Sequence, residues 1–488
     1  MSFADSILAL DAAQVPNLAT CRGIVAELLE GLGNRIVGQD QMIRRVVQAF
    51  LLNHHALIES LPGLAKTSLV RTVAESLGVR FKRIQYVPDM LPSDLYGRNV
   101  LHMQGGVSQL KWVYGPIFNA FVVADEINRA SPKVQAATLE CMQERTCTLI
   151  DRRFPLTVYH PAYRQYLKGH HKTLTVFGLP CPHPDDNGRV LFVVCATQNP
   201  IEMEGTYPLA EAQIDRFLFK IQVMPPAMDY YDRIVQRNLP TSPVPNLLEN
   251  YADEDETDWR NPGAGPGDAD FRSGEDGVPL WLKTLCFREV VFHRIITDPS
   301  GLHGQLLTSP RKRGLWDRVR LFLFLAHYRA AERDPGLSAD SGVLPAPLRG
   351  EFQEYMRSFL ALWNEGAPPS APSGAGGGDV AAAVRGEVSR LLTSGIFQYV
   401  ESGPSPRALI DWPRAAAAEA FLSNDTEIRR KHLRDVAEDV LRHHIRLSPQ
   451  ARAEGLSSQD LIGLLINRLL PAVDAPTEEL EDQAPLLP

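Results

Sequence analysis

Cysteine is scarce: six in 488 residues, scattered, with none at the paired spacing that holds zinc or staples a small secreted fold. The thiols are therefore read as reduced and the chain as cytoplasmic. The opening MSFADSILALDAAQ lacks a basic stretch and carries Asp5 early, so no secretory leader is expected. Long apolar runs are also missing. The most apolar window, Leu321 to Ala326, is far shorter than the roughly 20 residues that cross a bilayer, and no membrane span is expected. Nor is there an excess of positive charge. Fifty Lys and Arg stand against 58 Asp and Glu, a net −8 that gives no bulk attraction to nucleic acid or to an anionic membrane. No internal repeat is visible. What remains is 44% hydrophobic and 22% charged, a globular composition with room for two or three domains.

The stretch from His54 to Val70, HHALIESLPGLAKTSLV, organises the rest. Ala56, Leu57 and Ile58 form a short apolar run, and Ser60-Leu61-Pro62-Gly63-Leu64-Ala65 a turn. After Lys66-Thr67-Ser68 a helical pattern follows, with Leu69, Val70, Val73 and Leu77 on one face and Gly78 as its stop. Strand, turn and helix in that order make a phosphate-binding loop: backbone N–H groups converge on one spot, and the helix dipole favours an anion there. Lys66 would reach the β/γ-phosphates of a nucleotide and Thr67 would hold Mg²⁺. Ser60 stands where the usual pattern has Gly, and Ala65 where Gly is frequent. On this stretch alone, a strand–turn–helix with a chance Lys-Thr remains the alternative.

Further along, Met42, Ile43, Val46 and Val47 mark a helix, and Phe81 to Val87 alternates as a strand. Leu95 to Trp112, with Gly105-Gly106 inside it, reads as a hairpin-like excursion. Phe121 to Ala124 is a short buried strand ending in Asp125-Glu126, and Pro132 to Glu144 is a helix. Residues 156–189 read as a loop-rich insertion; its Cys181, His183, His170 and His171 lack zinc spacing. Val190 to Ala196 is another buried strand, ending in Thr197-Gln198-Asn199-Pro200. A helix carrying Glu211, Gln213, Asp215 and Arg216 follows, and then the strand Phe217 to Val223. Unbroken apolar strands alternating with helices predict an α/β core with a parallel sheet covered on both faces.

Asp125-Glu126 at the end of a core strand supplies the second half of the nucleotide argument. One carboxylate beside a phosphate loop holds Mg²⁺ through water, and its neighbour polarises the attacking water. Asn199, an uncharged amide closing the next strand, can orient that water. Taken together, IVGQDQ, SLPGLAKTSL, PSDLYG, GPIF, VVADEINRASPKVQAATLECMQE, ATQNPIEMEGTYPLAEAQIDRF and GPSPRALI resemble the MoxR-type AAA+ ATPases of the helix-2-insert clade, over about residues 28–228 and 385–470.

The resemblance implies a P-loop NTPase fold with an all-α lid carrying a large insertion. It makes Lys66 and Thr67 the Walker A pair and Asp125 and Glu126 the Walker B pair. Asn199 becomes sensor 1, and Arg216 an arginine finger reaching a neighbouring subunit. Val37 and Gly38 fall near the adenine, and the 95–112 excursion becomes the helix-2 insert. The expected layout is a lead-in at 1–27 and a nucleotide-binding core at 28–228 with its insert at 156–189. A lid follows at 229–239 and 385–470, with an inserted subdomain at 240–384 and an acidic disordered tail at 471–488. Two Ser-Pro-Arg helix starts compete for sensor 2, and the helix pair after Arg407, not Arg311, matches the family's lid. The function implied is ATP-driven remodelling, activation or cofactor insertion in a partner protein by a hexameric ring, with a von Willebrand factor A-domain protein as the family's usual partner. A nucleic-acid motor of the same superfamily is the alternative, weakened because the excursion offers only Arg98 and Lys111 as cations. A slow nucleotide-dependent switch or scaffold is the other.

Overall fold

The computed structural model describes residues 3–60, 66–77, 79, 81–104, 107–149, 152–156, 166–167, 169–170, 172–181, 191–199, 206–223, 230, 272–298, 300–304, 399–402 and 406–470. They fall into two units, 1–293 and 294–488.

The first unit opens with α1 (Phe3–Leu8), α2 (Leu18–Arg35) and α3 (Asp40–Leu51). Asn17 caps α2 by accepting the Thr20 N–H, satisfying one of the amides every helix start leaves unpaired. Helix α2 runs straight through the expected 27/28 boundary, so the lead-in and the core share one helix. Between α2 and α3 the chain turns at Gly38, whose φ of 77° is left-handed and suits a residue without Cβ.

The core alternates as its apolar runs predict: β1 (Ala56–Ser60), α4 (Lys66–Ser76), β2 (Phe81–Gln85) and α5 (Pro92–Tyr96). The expected excursion is an antiparallel hairpin, β3 (Gly97–Gln104) and β4 (Val107–Tyr114). Then come β5 (Phe121–Asp125) and α6 (Pro132–Glu144). A second hairpin, β6 (Thr146–Leu149) with β7 (Arg152–Pro155), was not legible in the sequence. It closes on Arg145, which ends α6 in a left-handed conformation and whose carbonyl accepts the Leu156 N–H. The two-residue strands β8 (Thr175–Val176) and β9 (Leu179–Pro180) lie inside the predicted loop-rich insertion. They are followed by β10 (Val193–Gln198), α7 (Glu211–Ile214) and β11 (Phe219–Val223).

Five strands make one parallel sheet in the order β11-β1-β10-β5-β2. Side chains alternate between its faces. Leu57, Ala196, Ala124 and Ile84 lie in one registered row and pack into a core with α6 residues such as Val134 and Leu139. Ile58, Thr197, Asp125 and Gln85 form the next row and face the other way. Buried His55 stitches this assembly below the strands. Its Nδ1 accepts the Val194 N–H, so Nε2 carries the hydrogen and donates to the Met142 carbonyl. In open parallel sheets, ligands bind beyond the strand C-termini where the strand order reverses. Here that crevice lies above β1, between β10 and β11.

After β11 the next described helix is α8 (Leu280–Phe292), nearly all buried. It packs on α1, with Phe3 edge-on to Phe287 and buried Lys283 paired to Asp276 at 2.6 Å while donating to the Leu8 and Leu10 carbonyls. This stretch of the expected 240–384 insertion is thus built into the unit that holds the sheet. The apolar window from Leu321 to Ala326 lies outside the described residues.

The second unit holds the C-terminal helices: α9 (Pro406–Leu422), α10 (Arg430–Leu441), α11 (Pro449–Ala453) and α12 (Ser458–Leu469). A small antiparallel pair, β12 (Val400–Ser402) with β13 (Arg446–Leu447), was unforeseen. Small buried residues, Ala415 to Ala418 and Ala420, let α9 approach α10 closely, and the buried Trp412 indole N–H donates to the Leu433 carbonyl at 2.8 Å. The turn between α9 and α10 is held by Asp425. It accepts from Lys431 at 2.6 Å and from His432 Nε2 at 2.9 Å, while His432 Nδ1 accepts the Arg429 N–H. The hydrogen bond from Lys431, and after it that from His432, holds the Asp425 carboxyl near 2. Burial lowers the His432 imidazole below its usual value.

Both shifts are downward, so both stabilise at higher pH. The Asp425 contribution is complete above 3.8 and is lost as pH falls towards 2; the His432 contribution is complete above 6.5 and declines on acidification below it. Thermal unfolding of this unit is therefore expected to soften in two steps on acidification, and His432→Gln should diminish the upper one, to which His303, also lowered by burial, contributes. An unchanged upper step in that variant would refute the assignment.

Candidate nucleotide-hydrolysis site

Of the predicted phosphate loop, Leu61 to Ala65 lie outside the described residues. Lys66, Thr67 and Ser68 form the first turn of α4, whose backbone is described and whose buried Val70, Val73 and Leu77 anchor it. Helix α4 packs over β2, β5 and β10. It is the first helix after β1, whose last residue, Ser60, is buried.

Asp125 is the last residue of β5 and is buried at 5% exposure. Its Oδ1 accepts from the Thr197 hydroxyl at 2.5 Å; its Oδ2 accepts from Arg83 Nη2 at 2.6 Å and Nε at 3.1 Å. Glu126 follows in a left-handed conformation, φ 56° and ψ 47°. A non-glycine residue there costs on the order of 1 kcal/mol and persists only where its surroundings fix it. They do: its N–H donates to the Thr197 hydroxyl at 3.0 Å, and its Oε2 accepts from Gln85 at 2.8 Å and pairs with Arg129 at 3.1 Å. The kink brings the Glu126 carboxylate to Gln85, in the sheet row that Asp125 occupies. Thr197 serves both carboxylate residues, one by side chain and one by backbone.

Asn199 is buried one residue beyond β10. The Asn128 amide lies 3.5 Å from its carbonyl. Gln135, on α6, donates to the carbonyls of Ala130 at 3.1 Å and Tyr207 at 2.9 Å, and the Tyr207 N–H donates to the Asn128 carbonyl. These bonds tie the turn after Glu126 to the chain returning after Asn199. The structure thus brings Asp125, Glu126 and Asn199 together at the C-terminal ends of β5 and β10. Arg83, Gln85, Thr197 and Gln135 join them without having been predicted. The signal was present for two of them: on an edge strand, Arg83 and Gln85 alternate onto the face that Asp125 shares.

Arg216 is placed differently. The helix expected to carry it is a single turn, Glu211–Ile214, because Phe217 is already buried and the edge strand starts at Phe219. Arg216 lies in the turn between them, and Leu218 donates to the His55 carbonyl. Since Phe219 pairs with Ala56, Arg216 stands beyond the foot of the sheet, at the end opposite Ser60. Val37 and Gly38, partly exposed, lie between α2 and α3. Arg407 occupies the first turn of α9, in the second unit.

Residues 55–161 and 186–219 match the ATPase family associated with various cellular activities (AAA), and residues 397–463 match the AAA lid domain. The chain carries an AAA core and an AAA lid, and is similar to proteins named MoxR. It is 41% identical to Chaperone MoxR1 of Mycobacterium tuberculosis over 218 residues, 45% of this chain and 49% of that protein. It is 35% identical to YeaC of Bacillus subtilis over 48% of this chain and 62% of that one. Protein MoxR of Methylorubrum extorquens is 29% identical over 43% of this chain and 52% of its own length. The matches thus span about half the length of these curated relatives. A solved candidate ATPase from Cytophaga hutchinsonii superposes with a TM-score of 0.56 at 26% identity, covering 92% of this chain and 96% of that one. The lid match falls on the helices that follow Arg407 and excludes Arg311. No helix among the described residues is long and apolar enough to cross a membrane.

Proposed function

We propose that this MoxR-type chain hydrolyses ATP in a hexameric ring and uses the energy to remodel, activate or load a partner protein. The observation that carries the proposal is the Asp125-Glu126 pair at the end of β5, held by Thr197 of β10 beside Asn199, with β1 on the other side of β10 and Lys66-Thr67 opening the helix after it. ATP is the substrate. Lys66 and the N-terminus of α4 would hold its phosphates, with Ser60, Pro62, Gly63, Leu64, Ala65 and Ser68 in the loop and Val37 and Gly38 towards the base.

A carboxylate at a strand end and a hydroxyl in a helix's first turn are the hard oxygen donors that Mg²⁺ prefers, so Thr67 and Asp125 suit that ion. It would supply charge neutralisation at the β/γ-phosphate oxygens. Asp125 Oδ2 becomes available only as Arg83 gives way. Glu126 must likewise exchange Gln85 and Arg129 for a water to act as its general base, with Asn199 orienting that water. A ring rests on the family and on Arg216, which needs a neighbour's nucleotide. A client carrying a von Willebrand factor A domain, and a cytoplasmic setting, rest on the resemblance alone; the chaperone name of the Mycobacterium relative is consistent with such work. The test is steady-state phosphate release from ATP and Mg²⁺, and a rate no higher than that of Lys66→Ala would refute the proposal.

The lid contributes Arg407 as sensor 2. Arg407→Ala is expected to cut turnover by about an order of magnitude or more, since removing a cation from a transferring phosphate costs on the order of a few kcal/mol. Arg311→Ala is expected to leave turnover within about twofold, as substitutions outside a site usually do. The reverse pattern would move the lid into the expected 240–384 insertion.

A further inference from the structure

One cluster of charged side chains at the strand ends lies outside the hydrolysis machinery. Glu59, the penultimate residue of β1, accepts at Oε1 from the Gln198 amide and from Lys220 Nζ at 3.0 Å. The three residues come from the three adjacent strands β10, β1 and β11. Register places Glu59 beside Gln198, and Lys220 beside Leu57, one pleat below, from which its long side chain reaches up to Glu59. All three point to the α6 face, opposite the row of Asp125 and Thr197. The pair is largely out of solvent, with Glu59 15% and Lys220 19% exposed.

Each member borders a working residue. Glu59 immediately precedes Ser60 and the phosphate loop, Gln198 precedes Asn199, and Lys220 lies four residues after Arg216. Backbone ladder bonds already hold these strands, so a partly buried ion pair is not needed for their pairing. Partly buried pairs are weak sources of net stability, and their best-attested role is fixing register.

We propose that Glu59 is a positioning residue that locks the sensor strand β10 and the Arg216 strand β11 to the strand feeding the phosphate loop. Movement at the γ-phosphate end of β1 then displaces Asn199 and the foot of β11 together, linking each subunit's own nucleotide to the arginine it lends its neighbour. This rests on the proposed hydrolysis; it adds residues and a coupling to it. The lock acts on turnover and on coupling between subunits, not on nucleotide binding.

The experiment compares wild type, Glu59→Ala, Lys220→Met and the exchanged pair Glu59→Lys with Lys220→Glu. It measures kcat, the Hill coefficient for ATP, the Kd of a fluorescent ATP analogue and the melting temperature. Expected are at least a fivefold fall in kcat and a lower Hill coefficient in both single variants, a Kd within twofold, and partial recovery in the exchanged pair. Lys220→Met keeps the test valid should Glu59→Ala fold poorly. A kcat and Hill coefficient within twofold of wild type in either folded single variant would overturn the proposal. So would a Kd that weakens in step with kcat. If wild type itself releases no phosphate, the hydrolysis reading has failed first, and the two failures are distinct.

Discussion

Glu126→Gln is expected to bind ATP as wild type does and to turn over at least about a hundredfold more slowly, the scale of a lost general base. The substitution is close to isosteric. A glutamine at this position can still accept from Gln85 and Arg129, and its backbone N–H can still donate to Thr197, so the left-handed turn is retained. What disappears is the basic carboxylate. Lys66→Ala should behave in the opposite way and lose nucleotide binding, because it removes the cation proposed to meet the β/γ-phosphates. Equilibrium binding and phosphate release, measured on both variants, separate the two roles. Hydrolysis by Glu126→Gln at the wild-type rate would show that the base lies elsewhere. A trapped, ATP-loaded Glu126→Gln protein is also the reagent with which to capture the client.

Much of this site was legible because its chemistry sits where secondary structure changes. Asp125-Glu126 and Asn199 each follow a run of buried apolar residues, and a polar residue at the end of such a run must lie at the sheet's edge. Pro132 to Glu144 was legible to the residue, with Ser131 before it and proline at its first position. The β6–β7 hairpin was not: Thr146 to Pro155 has weak alternation, and Arg145 at its base bonds to Asn53 and Phe192, a contact between distant parts of the chain. The short α7 was over-read for a related reason. Glu211 to Arg216 has helical composition, but burial of Phe217 and pairing of Phe219 with Ala56 end the helix, and tertiary contacts outrank local propensity. Arg83 and Gln85 were missed because an edge strand's polar residues read as solvent-facing until the neighbouring strand is known.

The position of Arg216 leads to the largest cooperative effect. Strand β11 runs parallel to β1, and Arg216 precedes the residue paired with Ala56 by three. From Ala56 to Ser60 is four strand steps, about 13 Å at the usual rise. An arginine starting below the foot of the sheet therefore cannot reach the phosphate loop above its own β1. If Arg216 meets a γ-phosphate, that phosphate belongs to another copy of the chain. Arginine supplied in trans is worth about 10³–10⁵ in rate where it has been removed from phosphoryl-transfer sites. Arg216→Ala is accordingly expected to fall by about a thousandfold while still binding ATP. The decisive measurement mixes Arg216→Ala with Lys66→Ala. Each alone is nearly inactive, but a mixed ring sets an intact Arg216 from one subunit against an intact Lys66 in the next. Activity should reappear, rising to a maximum near equal proportions. Subunit exchange must be followed independently, for instance by energy transfer between labelled copies. If exchange is complete and no activity returns, the site is not shared between subunits, and Arg216 holds the start of β11 without touching nucleotide.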